Sequence, residues 1–240
     1  PTPVVLGLDL YVYPADYTRQ PPKKIANNGN ATVPEGAMLK WELFTKSTDS
    51  VVFLTGLSRS FFDKSNQQFT YSKRVFSSQS YTIQTSNLNL ANFETLDYFI
   101  SVIKDKPPKI QVQMKRDSTL EASLYFYGQV SDDYGLRELN LHYFPTDNPN
   151  GIKRISLPIA QGSFLEFTHS FPSNLALLDD TAYSLYFEVF DNDPIHNYKT
   201  TRSRTFRYNH KSEAQIEALR INEQSQVSSA LQKALKALAR

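Results

Sequence analysis

The sequence predicts an all-β chain: two tandem immunoglobulin-like or fibronectin-like antiparallel β-sandwiches followed by a C-terminal α-helix. Three observations predict it. Apolar and polar residues alternate with a period of two through the second half, Pro, Asn, Gly and Asp interrupt the chain at short intervals, and the period lengthens after Tyr208. A length of 240 residues exceeds the roughly 100 that one immunoglobulin-type sandwich needs. The expected division is a first sandwich over residues 1–105, a second over 106–209 and a helix over 210–240, read as the truncated start of a longer helical or coiled-coil region.

In the first domain, LDLYVY, MLKWELF, SVVFL, QFTYSKRVF, YTIQTS and DYFISVI are strand candidates. Trp41 alternates with Leu39 and Leu43, which places it in the core. VPEG fits a turn with Pro34 second and Gly36 fourth. The paired prolines of KDKPPK stiffen the connection to the next domain and forbid continuous sheet pairing.

The second domain alternates more cleanly. Ala122, Leu124, Phe126 and Val130 share one face of their strand, with Glu121, Ser123, Tyr125, Tyr127 and Gln129 on the other. Leu139, Leu141 and Tyr143 alternate in the same way with Glu138, Asn140 and His142. Adding IQVQM, ISLP, SFLEFTHSF, AYSLYFEVF and TTRSRTFRY gives seven strands, the number and spacing of a Greek-key sandwich. NLALLDDTAY resembles the corner before the sixth strand of such domains, where Tyr183 supplies the corner hydroxyl.

Ser212 followed by Gln215 matches a capping box, and no Gly or Pro follows to Arg240, so a helix of about 28 residues and about 42 Å is expected. Ile216, Leu219, Val227, Leu231, Leu235 and Leu238 form a narrow stripe interrupted by NEQSQ. Such a stripe suits packing on another helix or folding back on the second domain.

Composition excludes several functions. The 26 basic and 24 acidic residues leave a net charge of +2 with no dense basic cluster, so nucleic acid is not an expected partner. Without cysteine there is no disulfide, thiolate metal site or thiol nucleophile. No apolar run reaches the roughly 20 residues that cross a bilayer, so this segment is not expected to span a membrane. PTPVVLGLDL carries neither an initiating Met nor a signal pattern, and ALQKALKALAR stops inside a helical pattern, so the chain reads as a segment of a longer protein. No G-x-S-x-G, Walker or H-E-x-x-H motif is present. His142, His169, His196 and His210 fall on separate elements without ligand spacing, and His169 points inward by parity. The expectation is that the chain is not an enzyme and carries no catalytic residue.

The candidate site residues are acidic. SDDYG and DNDPIHN follow the second and sixth strands of the second domain and emerge at one end of a sandwich, which gathers Asp132, Asp133, Asp191 and Asp193 with His196 nearby. Calcium takes six to eight oxygen ligands, about half of which these carboxylates could supply. The competing expectation needs no cofactor: the aspartates form turns, and Lys104, Lys106 and Lys109 of the linker neutralise them. Carbohydrate binding is a further alternative. Tyr125, Tyr127, Tyr186 and Phe190 have outward parity and could stack on sugars, although the two pairs belong to opposite sheets.

NATVPEGAMLKWEL, DYFISVIKDKPPKIQV, SDDYGLRELNLHY and YSLYFEVFDNDPIHNYKTTRS together resemble the tandem immunoglobulin-like region of a large uncharacterised family of membrane-anchored proteins in Bacteroidota, of the domain-of-unknown-function type. The resemblance implies transmembrane segments elsewhere in the protein, a periplasmic or otherwise extracytoplasmic location, and a last helix that continues into coiled-coil stretches. Genes of that family lie near those for MoxR-type ATPases and von Willebrand A-type proteins, which implies an envelope assembly or stress role. It assigns no catalytic residues. Where the family has a smaller, Gly-containing tip at the acidic loop, this chain has Pro194, Ile195, His196 and Asn197. The resulting expectation is a non-enzymatic spacer or scaffold, its interdomain angle set by the proline linker and charge contacts, with protein partners in the envelope and the remainder of its own chain.

Overall fold

The computed structural model describes residues 1–116 and 123–238, with the side chains of residues 223 and 236–238 excepted. Glu121 and Ala122, expected on opposite faces of a strand, and the Leu238 side chain of the helical stripe lie outside what is described. The chain divides into two compact units, Pro1–Lys106 with Asn192–Tyr198, and Pro107–Asp191 with Lys199–Arg240.

The first unit runs β1 (Val4–Tyr13), β2 (Lys23–Ala26), β3 (Ala31–Pro34), β4 (Met38–Lys46), β5 (Ser50–Thr55), β6 (Ser58–Phe61), β7 (Asp63–Ser65), β8 (Gln68–Arg74), β9 (Gln79–Ser86) and β10 (Glu94–Ile103). One sheet has the order β2-β1-β4-β8-β7 and the other β3-β10-β9-β5-β6. Setting β2 and β3 aside, these are the A-B-E-D and G-F-C sheets of an immunoglobulin sandwich, with β6 added beside C. β3 runs parallel to β10; the other pairings are antiparallel. Trp41 is fully buried between the sheets, as its alternation requires. Its indole N–H donates to the Tyr81 hydroxyl at 2.8 Å, and Tyr81 donates to the Gly29 carbonyl at 2.6 Å. The two polar atoms are thereby satisfied, so the aromatic bulk is buried without the cost of an unpaired donor.

The VPEG turn differs from expectation by one position. Ala37 N–H donates to Pro34 O at 3.3 Å and Gly36 has φ of 77°, so Pro34 is first and Gly36 third. A type II turn needs positive φ at its third residue, and only glycine adopts it without strain. The shift makes Glu35 the second residue, at the corner of the turn.

The second unit runs β11 (Lys109–Arg116), β12 (Leu124–Ser131), β13 (Leu136–Pro145), β14 (Lys153–Leu157), β15 (Phe164–Phe171), β16 (Thr181–Asp191), β17 (Thr200–Arg202), β18 (Phe206–His210) and α1 (Glu213–Leu238). Its sheets, β11-β12-β15 and β14-β13-β16 with β17 and β18 in succession along β16, have the A-B-E and C′-C-F-G order of a fibronectin-type sandwich. β17 and β18 are one edge strand broken at Ser203, whose N–H donates to Phe187 O at 2.8 Å while its hydroxyl accepts Phe187 N–H at 3.0 Å. Leu124, Phe126, Val130, Leu139, Leu141 and Tyr143 are buried as alternation predicts. Gly128 faces Phe167 across the β12–β15 pair, and a Cβ there would lie 2.3 Å from the Phe167 ring, so the aromatic side chain fills the space glycine leaves.

Tyr183 is 4% exposed at the start of β16, and its hydroxyl accepts Leu178 N–H at 2.9 Å. This is the corner predicted from NLALLDDTAY: five residues of loop are pinned to the sandwich by one phenol. Ser212 caps α1, accepting Gln215 N–H at 3.4 Å. Tyr183→Phe removes the acceptor but keeps the ring, and is expected to cost about 1–2 kcal/mol in urea denaturation. A variant as stable as the parent would show that the corner bond contributes nothing net.

Candidate functional site

The acidic segments are best described residue by residue. Asn192–Tyr198 groups with the first unit, so Asp193 belongs there, whereas Asp132, Asp133 and Asp191 belong to the second. Within the second unit, Asp132 Oδ2 accepts Tyr134 and Gly135 N–H at 2.9 and 2.8 Å, the turn role that Asp fills in SDDYG. Burial pushes the Asp132 carboxyl up, against those bonds and the nearby Lys199 charge. Lys199 Nζ also lies 3.6 Å from the fully buried Asp191 carboxylate. One ammonium therefore serves both acidic turns of this unit.

In the first unit, Asp193 is fully buried. Its Oδ1 accepts Ile195 N–H at 2.8 Å and its Oδ2 meets His196 Nδ1 at 2.5 Å. The other imidazole nitrogen, Nε2, lies 3.6 Å from Glu35 Oε1. A protonated ring can serve both carboxylates. Asn192 Nδ2 donates to Tyr17 O at 2.9 Å, and Ile195 packs so close to Gly36 that a Cβ there would sit 2.6 Å from Ile195 Cδ1. The segment is held by hydrogen bonds along its length.

Glu35 is the centre of this arrangement and was not singled out from sequence. Its side chain is only 6% exposed, a costly position for a carboxylate unless donors meet it. Three do so: Lys104 Nζ at 2.6 Å, Asp105 N–H at 3.2 Å, and the imidazole of His196. Burial works to raise the Glu35 pKa, but Lys104, the Asp105 N–H and the His196 charge together outweigh it and hold the group below its ordinary 4.5. Lys104 also donates to Phe76 O at 2.5 Å. It was expected to neutralise the acidic loops; it serves Glu35 instead, because the buried carboxylate needs a full charge and Lys104 follows the strand, β10, that ends beside the turn.

A second unpredicted cluster lies on the outer face of the β14-β13-β16-β17 sheet. Asn140 and Glu188 have outward parity yet are 1% and 6% exposed. Glu188 accepts Arg202 Nε–H at 2.8 Å and lies 3.0 Å from His142 Nε2. The His142 ring stacks on Tyr186 with centroids 5.0 Å apart, and the Arg202 guanidinium lies over the Tyr186 ring at 5.0 Å. Burial lowers the His142 pKa, against the pull of Glu188. Tyr186 is thus enclosed, and Phe190 is half-buried, whereas Tyr125 and Tyr127 on the other sheet are 50% and 41% exposed. His169 is half-buried, edge-on to Phe187 at 6.4 Å, consistent with its inward parity.

Calcium demands six to eight oxygens free to turn toward it. Both oxygens of Asp193 and Oδ2 of Asp132 already accept N–H groups, and Lys199 neutralises Asp191. These oxygens are satisfied without a metal cation.

Fold and site together define a β-sandwich protein with an immunoglobulin-type first unit and a fibronectin-type second, joined to a helix. The chain belongs to the family described as Domain of unknown function (DUF4175), whose model matches residues 2–165. No curated protein matches it. Among solved structures it is similar to the fibronectin(III)-like modules of Clostridium thermocellum CbhA, at 12% identity over 77% of this chain and 90% of that one, with a TM-score of 0.29. It is similar also to the chicken CNTN1 FN1-FN3 domains, at 13% identity over 80% and 74% of the two chains, with a TM-score of 0.28. Scores this low carry no argument about function.

Glu35 has a depressed pKa, so its contribution to stability is present above pH 4.5 and is lost as pH falls through the folded value. Glu35→Gln is expected to destabilise the first unit by about 1–3 kcal/mol at pH 7 and to flatten the stability profile below pH 4.5. An unchanged acid limb would remove Glu35 from its central place. Calcium added to chelator-treated protein is expected to leave the melting temperature where it was; a rise that grows with calcium concentration would establish the metal instead.

Proposed function

We propose that the chain is a non-catalytic structural and interaction module of an extracytoplasmic, membrane-anchored protein, a spacer that presents α1 to a helical partner in the cell envelope. One observation carries this reading. Along the 26-residue helix, about 39 Å long, Leu219, Val227, Leu231 and Leu235 are 41–63% exposed, while the core of the second unit is closed without them. An isolated helix of this kind is marginal in water and draws its stability from packing of its apolar face. The stripe therefore calls for a partner helix, either from the remainder of the same protein or from another envelope protein. The envelope setting rests on the resemblance of the sequence to membrane-anchored proteins. No helix among the described residues is long and apolar enough to cross a membrane, in keeping with anchoring through other segments.

The test is photo-crosslinking in the native envelope. A photoreactive residue at Leu231 is expected to give a discrete adduct that disappears with Val227→Asp, while one at Ser229, on the opposite face, gives none. Equal labelling at both positions, or none at either, would overturn the proposal.

A further inference from the structure

The outer face of the three-stranded sheet β11-β12-β15 is exposed at Tyr125 and Tyr127. Strand register sets its composition. Lys115, Tyr125 and Ser170 form one row across the three strands, and Gln113, Tyr127 and Thr168 the next. A third row follows, of Gln111, Gln129 and Glu166. No aliphatic side chain occupies any of these positions. Protein interfaces bury an apolar core, and these three rows offer two phenol rings in a frame of amides and hydroxyls, with Lys109, Ser131 and the exposed Phe164 in the row beyond.

The two rings succeed one another on the same side of β12, about 7 Å apart along the strand. They are not loose. Tyr127 donates to Glu166 Oε1 at 2.7 Å, and Gln129 Nε2 donates to that same oxygen at 2.8 Å and to the Tyr127 hydroxyl at 3.2 Å. A ring held this way loses little freedom when a ligand lies on it. Tyr125, Tyr127, Gln113, Lys115, Thr168 and Ser170 line a hollow of about 560 Å³, within the range of small-ligand sites. Lys115 lines the hollow, and Glu166 beside it already accepts two hydrogen bonds, so the hollow is matched to neither a polyanion nor a polycation.

We infer that this face binds a neutral oligosaccharide, the apolar faces of successive sugar rings stacking on Tyr125 and Tyr127 while amides and hydroxyls of the flanking strands meet the sugar hydroxyls. Sugars combine a flat C–H face with a periphery of donors and acceptors, which is the complement of an aromatic pair framed by Gln, Ser and Thr.

Titration of the whole chain with three soluble hexasaccharides, of β-linked glucose, xylose and N-acetylglucosamine, followed by amide NMR shifts, separates the possible glycan sources. At least one is expected to bind saturably and move resonances of β11, β12 and β15. Tyr125→Ala and Tyr127→Ala are each expected to weaken it by about tenfold. Tyr125→Phe retains binding, and so does Tyr186→Ala on the opposite sheet. Because both tyrosines are exposed, thermal melts of the alanine variants should overlay the parent. Absence of shifts with all three sugars at a concentration on the order of 10 mM, or equal loss from Tyr186→Ala, would overturn the inference. Saturable binding of an unrelated peptide at the same residues, without sugar binding, would do so too.

Discussion

A β-strand hands its side chains alternately to two faces, and in a sandwich one of those faces is consumed by the core. That constraint organises everything else in this chain. Among the described residues, sixteen buried side chains fill the first core and sixteen the second. Function is left the outward positions, the loops and the helix. The outward faces of the second unit have diverged accordingly: on one sheet His142, Glu188 and Arg202 consume one another's polarity, while on the other Tyr125 and Tyr127 remain open to solvent. A closed face contributes to the fold, and an open one is available to a ligand.

The fold was legible because its strongest signals are local. Alternation over eight to eleven residues marks β12, β13, β15 and β16, the corner hydroxyl of Tyr183 lies five residues from the N–H it accepts, and Ser212 caps from three residues away. β2, β3, β6 and β7 escaped because strands of three or four residues hold too few alternations to distinguish from loop. Parity puts Asn140 and Glu188 on the outer face, where they lie, but does not foretell their burial. It predicts which face a side chain takes, and not that neighbours such as Arg202 and His142 will cover it there.

The centre of the candidate site was illegible for a different reason. Glu35 sits in a four-residue turn whose sequence reads as a loop, and its partners are 69 residues away at Lys104 and farther still at His196. No short window on the sequence contains Glu35 together with any of them. The available signal was Gly36 after a charged residue: a glycine at positive φ, approached by Ile195, marks a crowded place in which a neighbouring carboxylate is poorly solvated. DNDPIHN looked like a site because its acids cluster in sequence. The structure divides them: Lys199 Nζ lies 3.6 Å from the Asp191 carboxylate, and Asp193 Oδ2 meets His196 Nδ1.

The helix carries one more constraint on its partner. Ile216 and Val227 lie eleven residues apart, a spacing of about 3.67 residues per turn, slightly longer than the 3.6 of a straight helix and well above the 3.5 of a heptad seam. A stripe with this period drifts little along the axis, so a partner can lie alongside with weak right-handed winding and need not wrap in the left-handed sense of an ordinary coiled coil. The polar stretch Asn222–Gln226 interrupts the contact near its middle. Apolar packing then falls into two patches, one around Ile216 and Leu219 and one from Val227 to Leu235. A partner with a single continuous leucine seam would bury those polar residues unpaired, whereas one with a polar break at the matching height would not, and that difference selects register as well as partner.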